Sequence, residues 1–326
     1  AEANSGYTHG YGADPWTAEV TDSIRTLFEA PQAEVFLVTT GTAANSLALA
    51  ALCPPWHTVF CSPVAHIHED ECNAPEFYTG GAKLTLVPGS DMMTPDALRS
   101  AIEAEEVRGV HGPARGPVSI TQVTERGNVH SLDQIRALTA VARDYGLPVH
   151  MDGARFANAL VALGCTAAEM TWKAGVDVLS FGGTKNGLMG VEAVVFFNPD
   201  QAASFAHRRK RGGHLMSKNR YLAAQMLGVL RDDLWLDMAR SANAACARLA
   251  AGLARHPEVT LLNDPRANMI FANCRAPGTS APWRRARNTI SGPGIWKMAP
   301  RMSRSWVASW PIGTRRIKRW MRFWPR

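Results

Sequence analysis

The chain has 326 residues, of which 46% are apolar and 19% charged, with 27 Gly and 20 Pro. That length suits a two-domain soluble enzyme, and the composition excludes a disordered, collagen-like or coiled-coil chain. The net charge of +7 is uneven: of 35 Lys and Arg, 13 fall in residues 274–326, which hold no acid, leaving 22 basic against 28 acidic groups in residues 1–273.

Residues 1–17 have neither a basic start nor an apolar stretch, so no signal peptide is expected. Glu34-Val-Phe-Leu-Val38 reads as a short buried strand, Thr39–Thr42 as a turn, and Ala43–Leu52 as a helix of small and apolar residues. Strand-like runs recur at 57–61, 83–87, 117–122, 147–151, 177–181 and 191–198, with helical patterns between most of them. In 131–145, Leu132, Ile135, Leu138 and Val141 recur every third residue; Ser131 is a candidate N-cap and Gly146 a stop. This alternation predicts an α/β fold with a largely parallel sheet covered on both faces. Residues 201–211, 217–230 and 232–254 read as helices, and 258–262 and 267–272 as strands opening a second, smaller α+β domain. The expected division is 1–203, 204–273 and a basic tail, 274–326. No apolar run nears the ~18–20 residues of a membrane span. The six cysteines show neither CxxC nor metal-ligand spacing, so reduced thiols and a cytoplasmic location are expected.

Ligands of such sheets sit beyond the carboxyl ends of the strands, and three features fall there. Asp152 follows the strand at 147–151, with Arg155 three residues on. Lys185 follows the strand at 177–181, between Gly183 and Gly187, which would let a flat cofactor approach closely. The turn Thr40-Gly-Thr-Ala-Ala-Asn45 offers hydroxyls and N–H groups at a helix start, a ready anion site. A phosphate cup, an acid and a later lysine suggest pyridoxal 5′-phosphate: the lysine forms an imine, and the carboxylate keeps the pyridine nitrogen protonated.

In ordered stretches the chain resembles the low-specificity L-threonine aldolases of the β-eliminating lyase group. These are Tyr11–Thr17, Thr40–Asn45, Ala65–Glu71, Asp152–Arg155, Thr184–Gly187 and Arg208–Gly213, within residues 3–273. The resemblance implies the type I fold of pyridoxal phosphate enzymes, with a mostly parallel seven-stranded sheet. It implies aldol cleavage of L-threonine, L-allo-threonine or related β-hydroxy-α-amino acids such as phenylserine to glycine and an aldehyde. By resemblance Lys185 is the Schiff-base lysine, and Asp152 pairs with the ring nitrogen. Arg155 contacts the substrate carboxylate or the cofactor's phenolic oxygen, and His66 stacks on the ring. Glu71 sits near the β-hydroxyl, and Thr40, Gly41 and Thr42 hold the phosphate. The implied assembly is a homodimer or homotetramer with sites at the dimer interface, which the basic run at 208–211 would reach. The implied partner is a small amino acid, with no membrane or nucleic acid.

Each residue also has a plainer reading. Lys185 would be a surface loop residue, Asp152 a helix N-cap, Arg155 one half of an ion pair, and 208–211 a charged helix face. His66 and His68 at i,i+2 on a strand would suggest a metal, but no third ligand presents itself, so none is expected. Glu71 would belong to a solvated acidic turn with Glu69 and Asp70. Gln122, Thr124 and Glu125 end a strand and are expected to face the site; one branch of the family has His where Glu125 falls. Family members usually begin further upstream, with a Ser-Asp-Asn stretch that Ser5 does not replace. The tail, with six Trp, six Pro and 11 Arg, reads as a shifted reading frame that leaves the small domain incomplete. The alternative is a basic interaction tail. Other functional readings are a different β-elimination or transamination on this scaffold, or an inactive copy that binds the cofactor without turnover.

Overall fold

The computed structural model describes residues 2–274 and 306–309. The main sheet has seven strands: β1 (Glu34–Val38), β2 (Thr58–Cys61), β3 (Lys83–Leu86), β4 (Val118–Thr121), β5 (Val149–Gly153), β6 (Val178–Gly182) and β7 (Glu192–Phe196). Their spatial order is β1-β7-β6-β5-β4-β2-β3. Strands β3, β2, β4, β5 and β6 run parallel, and β7 runs antiparallel to both β6 and β1.

The helices are α1 (Pro15–Leu27), α2 (Gly41–Leu52), α3 (His66–Glu69), α4 (Ala74–Thr79), α5 (Pro95–Ala104), α6 (Leu132–Asp144), α7 (Phe156–Leu163), α8 (Ala167–Met170), α9 (Phe205–Arg211), α10 (Arg220–Leu230) and α11 (Leu234–Leu253). Helix α6 starts as its sequence indicates, with Ser131 and Gln134 forming a capping box. Helix α9 begins later than the expected 201, because residues 199–202 take a tighter 3₁₀ turn capped by Asn198.

Strands β5, β6 and β7 are buried along their whole length, because helices cover both faces. On one face the α2 residues Ala43, Ala44, Leu47 and Ala48 pack on Val178, Val194 and Phe196. The small side chains let this helix lie close to the sheet, which brings its N-terminus to the strand ends. On the other face Phe28, Phe156 and Phe181 meet with ring centroids 5.5–5.6 Å apart, and Trp235 from α11 lies edge-on to Phe181 at 5.5 Å.

A second sheet contains β8 (Val259–Leu261), β9 (Met269–Cys274) and β10 (Trp306–Ser309), all antiparallel, in the order β10-β9-β8. Cys246 and Ala250 of α11 pack on Ile270 and Ala272 of β9. The tail therefore contributes one strand; its other residues, 275–305 and 310–326, lie outside the described residues, as does most of the expected shifted-frame segment.

Candidate active site

Asp152 and Lys185 stand at the carboxyl ends of neighbouring parallel strands. Pairing of β5 with β6 sets Asp152 opposite Ser180, and a single 3₁₀ turn over 184–186 then presents Lys185. A Cβ on Gly182 would lie 2.5 Å from the Ala154 carbonyl oxygen, and one on Gly183 2.5 Å from that of Val191. The glycines before Lys185 thus admit protein backbone rather than a flat cofactor, which corrects the expectation for Gly183. Glu192 of β7, buried, accepts the Gly183 N–H at 2.5 Å and so pins the turn from beneath. Nothing in the sequence marked Glu192 except a lone acid heading an apolar strand.

Lys185 is open to solvent, yet protein crowds its amine. That crowding, and then Arg155, hold its pKa below the ordinary lysine value. Asp152 is buried, which alone would raise its pKa; Lys185, His66, His150 and the Ala154 N–H outweigh burial and hold it low. Its Oδ1 accepts the Ala154 N–H and its Oδ2 accepts Asn45 Nδ2, each at 2.9 Å. Asp152 is not an N-cap, since Arg155 occupies that position of α7. Among the described residues, none of Asp152, Lys185 and Arg155 has a salt-bridge partner within 4.0 Å.

The facing wall is built from loops. His66 opens α3, and its Nδ1 lies 3.4 Å from Glu71 Oε1. His68 is exposed and lies two residues along a helix, not a strand, so the two rings do not share a face. Glu69 and Asp70 are exposed, but Glu71 turns inward and is 4% exposed. Burial raises the Glu71 pKa, against the hydrogen bond from His66. The same bond raises the pKa of His66.

Glu125 Oε1 accepts the His66 N–H at 2.8 Å and the Thr121 hydroxyl at 2.7 Å, while Oε2 is buried without a partner. Burial pushes the Glu125 pKa up to about 7. Its two expected neighbours do not join it. Gln122 exchanges hydrogen bonds with the backbone of His130, and Thr124 donates to Asp91 at 2.6 Å. Both are fully buried in holding their own loop. Sequence order placed all three at a strand end but gave no view of which side chains the loop consumes.

At the turn before α2, the Thr40 hydroxyl accepts the Ala43 N–H at 3.2 Å. The N–H groups of Gly41 and Thr42 precede the first helical bond, from Ala44 N–H to the Thr40 carbonyl. A Cβ on Gly41 would meet no atom within 4 Å, so the turn faces open space. In the basic run, Arg209 is buried and donates to the Leu37 carbonyl, whereas Lys210 and Arg211 are exposed.

A mostly parallel seven-stranded sheet with helices on both faces and a lysine just beyond a central strand defines the type I fold of pyridoxal phosphate enzymes. The fold is shared with the Leishmania major threonine aldolase, at a TM-score of 0.78 and 28% identity over 83% of this chain and 78% of that one. The sequence pattern of the β-eliminating lyases matches residues 1–277, and the chain belongs to that family. It is 49% identical to the low specificity L-threonine aldolase of Pseudomonas aeruginosa, over 86% of this chain and 81% of the relative. It is 46% identical to the protein of the same name from a Pseudomonas species, over 86% and 80%. Among the described residues no helix is long and apolar enough to cross a membrane.

Proposed function

We propose that this chain is a pyridoxal phosphate-dependent carbon–carbon lyase. It cleaves L-threonine, L-allo-threonine and related β-hydroxy-α-amino acids, phenylserine among them, to glycine and an aldehyde. The observation that carries this reading is a buried carboxylate without an ion-pair partner, Asp152, beside a crowded amine, Lys185, on adjacent strand ends. The names of the two Pseudomonas relatives support it.

The residues present fit the cofactor. A protonated ring nitrogen would give Asp152 the cation it lacks. The Thr40 hydroxyl and the Gly41 and Thr42 N–H groups suit a phosphate, and the space before Gly41 is open. When bound, pyridoxal phosphate supplies an aldehyde that joins the amine and a ring that accepts the electron pair of the breaking Cα–Cβ bond. Asp152 would hold the proton on the ring nitrogen, and His66 would cover one ring face. Arg155 would fix the substrate carboxylate and thereby select which Cα bond is aligned for cleavage. The two acids divide the remaining work. Glu71 is occupied in holding His66, whereas Glu125, with a pKa of about 7, suits proton exchange with the β-hydroxyl. The Lys185 amine would return a proton to Cα.

Purified protein loaded with pyridoxal phosphate should convert threonine to equal amounts of acetaldehyde and glycine. Ammonia and a keto acid in their place would make it an eliminating enzyme. Cofactor binding without turnover would make it an inactive copy.

We further propose a homodimer or homotetramer, with exposed Lys210 and Arg211 reaching the neighbour's site; light scattering reports the mass. The cytoplasmic location is supported by the unpaired thiols of Cys53, Cys61, Cys72, Cys165 and Cys246. We further propose that the domains divide at 203 and 273 and that the frame shifts after 273. The family match ends at residue 277, close to where the basic tail begins. Reading the gene in the other frames past codon 273 tests this: no frame with amphipathic continuation would refute the shift.

A further inference from the structure

Asn45 was part of the phosphate turn in sequence, but its side chain points elsewhere. It is 2% exposed on α2. Its Nδ2 donates to Asp152 Oδ2 and to Glu71 Oε1, both at 2.9 Å. One amide group therefore spends both hydrogens on two buried acids, while its own Oδ1 stays without a partner. An amide that leaves a buried acceptor unsatisfied bears a cost on the order of 1–3 kcal/mol, and packing alone would be met by Leu at no such cost. Glu71 in turn holds His66. A continuous chain thus runs His66–Glu71–Asn45–Asp152.

We propose that Asn45 is a positioning residue that couples the ring-facing histidine to the nitrogen-binding aspartate, by holding Glu71 and Asp152 at once. Two carboxylates on one NH₂ group repel each other, and shared donation offsets that repulsion. Without Asn45, both acids lose a donor and take up protons more readily. A neutral Glu71 no longer attracts a proton to His66. The other groups that face His66 are Lys185, Asp152 and Glu125, the last through the His66 N–H. Lys185 opposes protonation of the ring and the acids favour it; Asn45→Ala leaves Lys185 and Glu125 untouched and weakens Asp152 together with Glu71, so both effects move the His66 midpoint down.

The placement of pyridoxal phosphate rests on the function proposed above, so the test has an arm that does not. His66 is followed by NMR of histidine-labelled protein, in the cofactor-free and cofactor-loaded forms, with His66→Asn for assignment. In the cofactor-free protein, Asn45→Ala is expected to lower the His66 midpoint by roughly one pH unit. Glu71→Gln should lower it similarly, and the double variant by less than the sum of the two, since both cut the same chain at Glu71. An unmoved midpoint in Asn45→Ala, or shifts that add in the double variant, would overturn the proposal. In the loaded protein Asn45→Ala should also weaken pyridoxal phosphate retention several-fold on dialysis, while Asn45→Leu, if merely packing mattered, would retain it. Retention equal to wild type in both variants would also refute the proposal. If wild type itself holds no cofactor, the functional reading fails, but the His66 result still stands or falls alone. Should Asn45→Ala not fold, Asn45→Ser, too short to bridge both acids, takes its place with the same expectations.

Discussion

The two walls of the site are made differently. On one, Asp152 and Lys185 are placed by backbone: parallel strands fix their heights, and Gly182, Gly183 and Glu192 fix the turn between. On the other, His66, Glu71 and Glu125 ride on loops and are placed by side-chain hydrogen bonds. The first wall tolerates little change of shape. The second depends on each partner's protonation. We therefore expect substitutions on the strand wall to act through chemistry or folding, and those on the loop wall through pH.

The largest effect belongs to Lys185. Lys185→Ala removes the amine without disturbing the turn that Glu192 holds. Turnover should fall roughly 10⁴-fold, the upper range for a group that handles protons in the transition state. Thermal stability without cofactor should change little, because a crowded cation is gone but buried Asp152 loses the group that most favours its charge. Rates of aldehyde release and a melting curve check both. Retained turnover would move the chemistry off the strand wall.

The same contrast explains what the sequence made legible. Apolar runs and turn residues are local signals, and strands such as 34–38 coincide with their expected range. Strand ends follow from strands, so Asp152 and Lys185 were visible as candidate site residues. The loop wall depends on contacts between distant residues: Asn45 meets Asp152 across 107 positions and Glu71 across 26. No local pattern distinguishes a buried Glu71 from exposed Glu69 and Asp70 beside it. Nor does one reveal that Gln122 and Thr124 are consumed by their own loop while Glu125 is free to face inward. Glu192 was hidden for the same reason, as its partners are N–H groups on the adjacent strand's exit.

Glu125 offers the sharpest pH test of the loop wall. Its pKa in the folded chain is about 7, against an ordinary value of 4.5. The folded state thus binds the proton more tightly than the unfolded state. Its contribution to stability is complete below about pH 4.5 and is lost as pH rises through about 7, a change on the order of 3 kcal/mol. Glu125→Gln should abolish that loss. The melting temperature of the variant relative to wild type should rise across this window, and its turnover should lose the limb near pH 7. A constant difference across the window would place Glu125 outside the proton chemistry.

Gly182→Ala tests the strand wall mechanically. The added Cβ would meet the Ala154 and Gly153 carbonyl oxygens at 2.5 and 2.7 Å, which are backbone and cannot swing aside. Strand β5 must shift against β6, at a cost of about 2 kcal/mol. Denaturant titration reads that cost, and misalignment of Asp152 from Lys185 should lower turnover in the fraction that stays folded. Stability within error of wild type would show that the two strand ends have slack.

The smallest effect falls at the rim, where Thr40 serves both the helix and the proposed phosphate. Its oxygen accepts the Ala43 N–H, and its hydrogen is free to be donated outward to a phosphate oxygen. Thr40→Ala therefore removes a cap worth about 1 kcal/mol of stability, cofactor or none. Thr40→Ser restores the cap and the outward hydrogen together. Thr40→Asp restores the cap but sets a negative charge against the phosphate. If the turn holds phosphate, the Ser variant should regain both stability and cofactor retention, and the Asp variant stability alone. Equal cofactor retention in the Ser and Asp variants would leave Thr40 a cap and nothing more, and move the phosphate away from this turn.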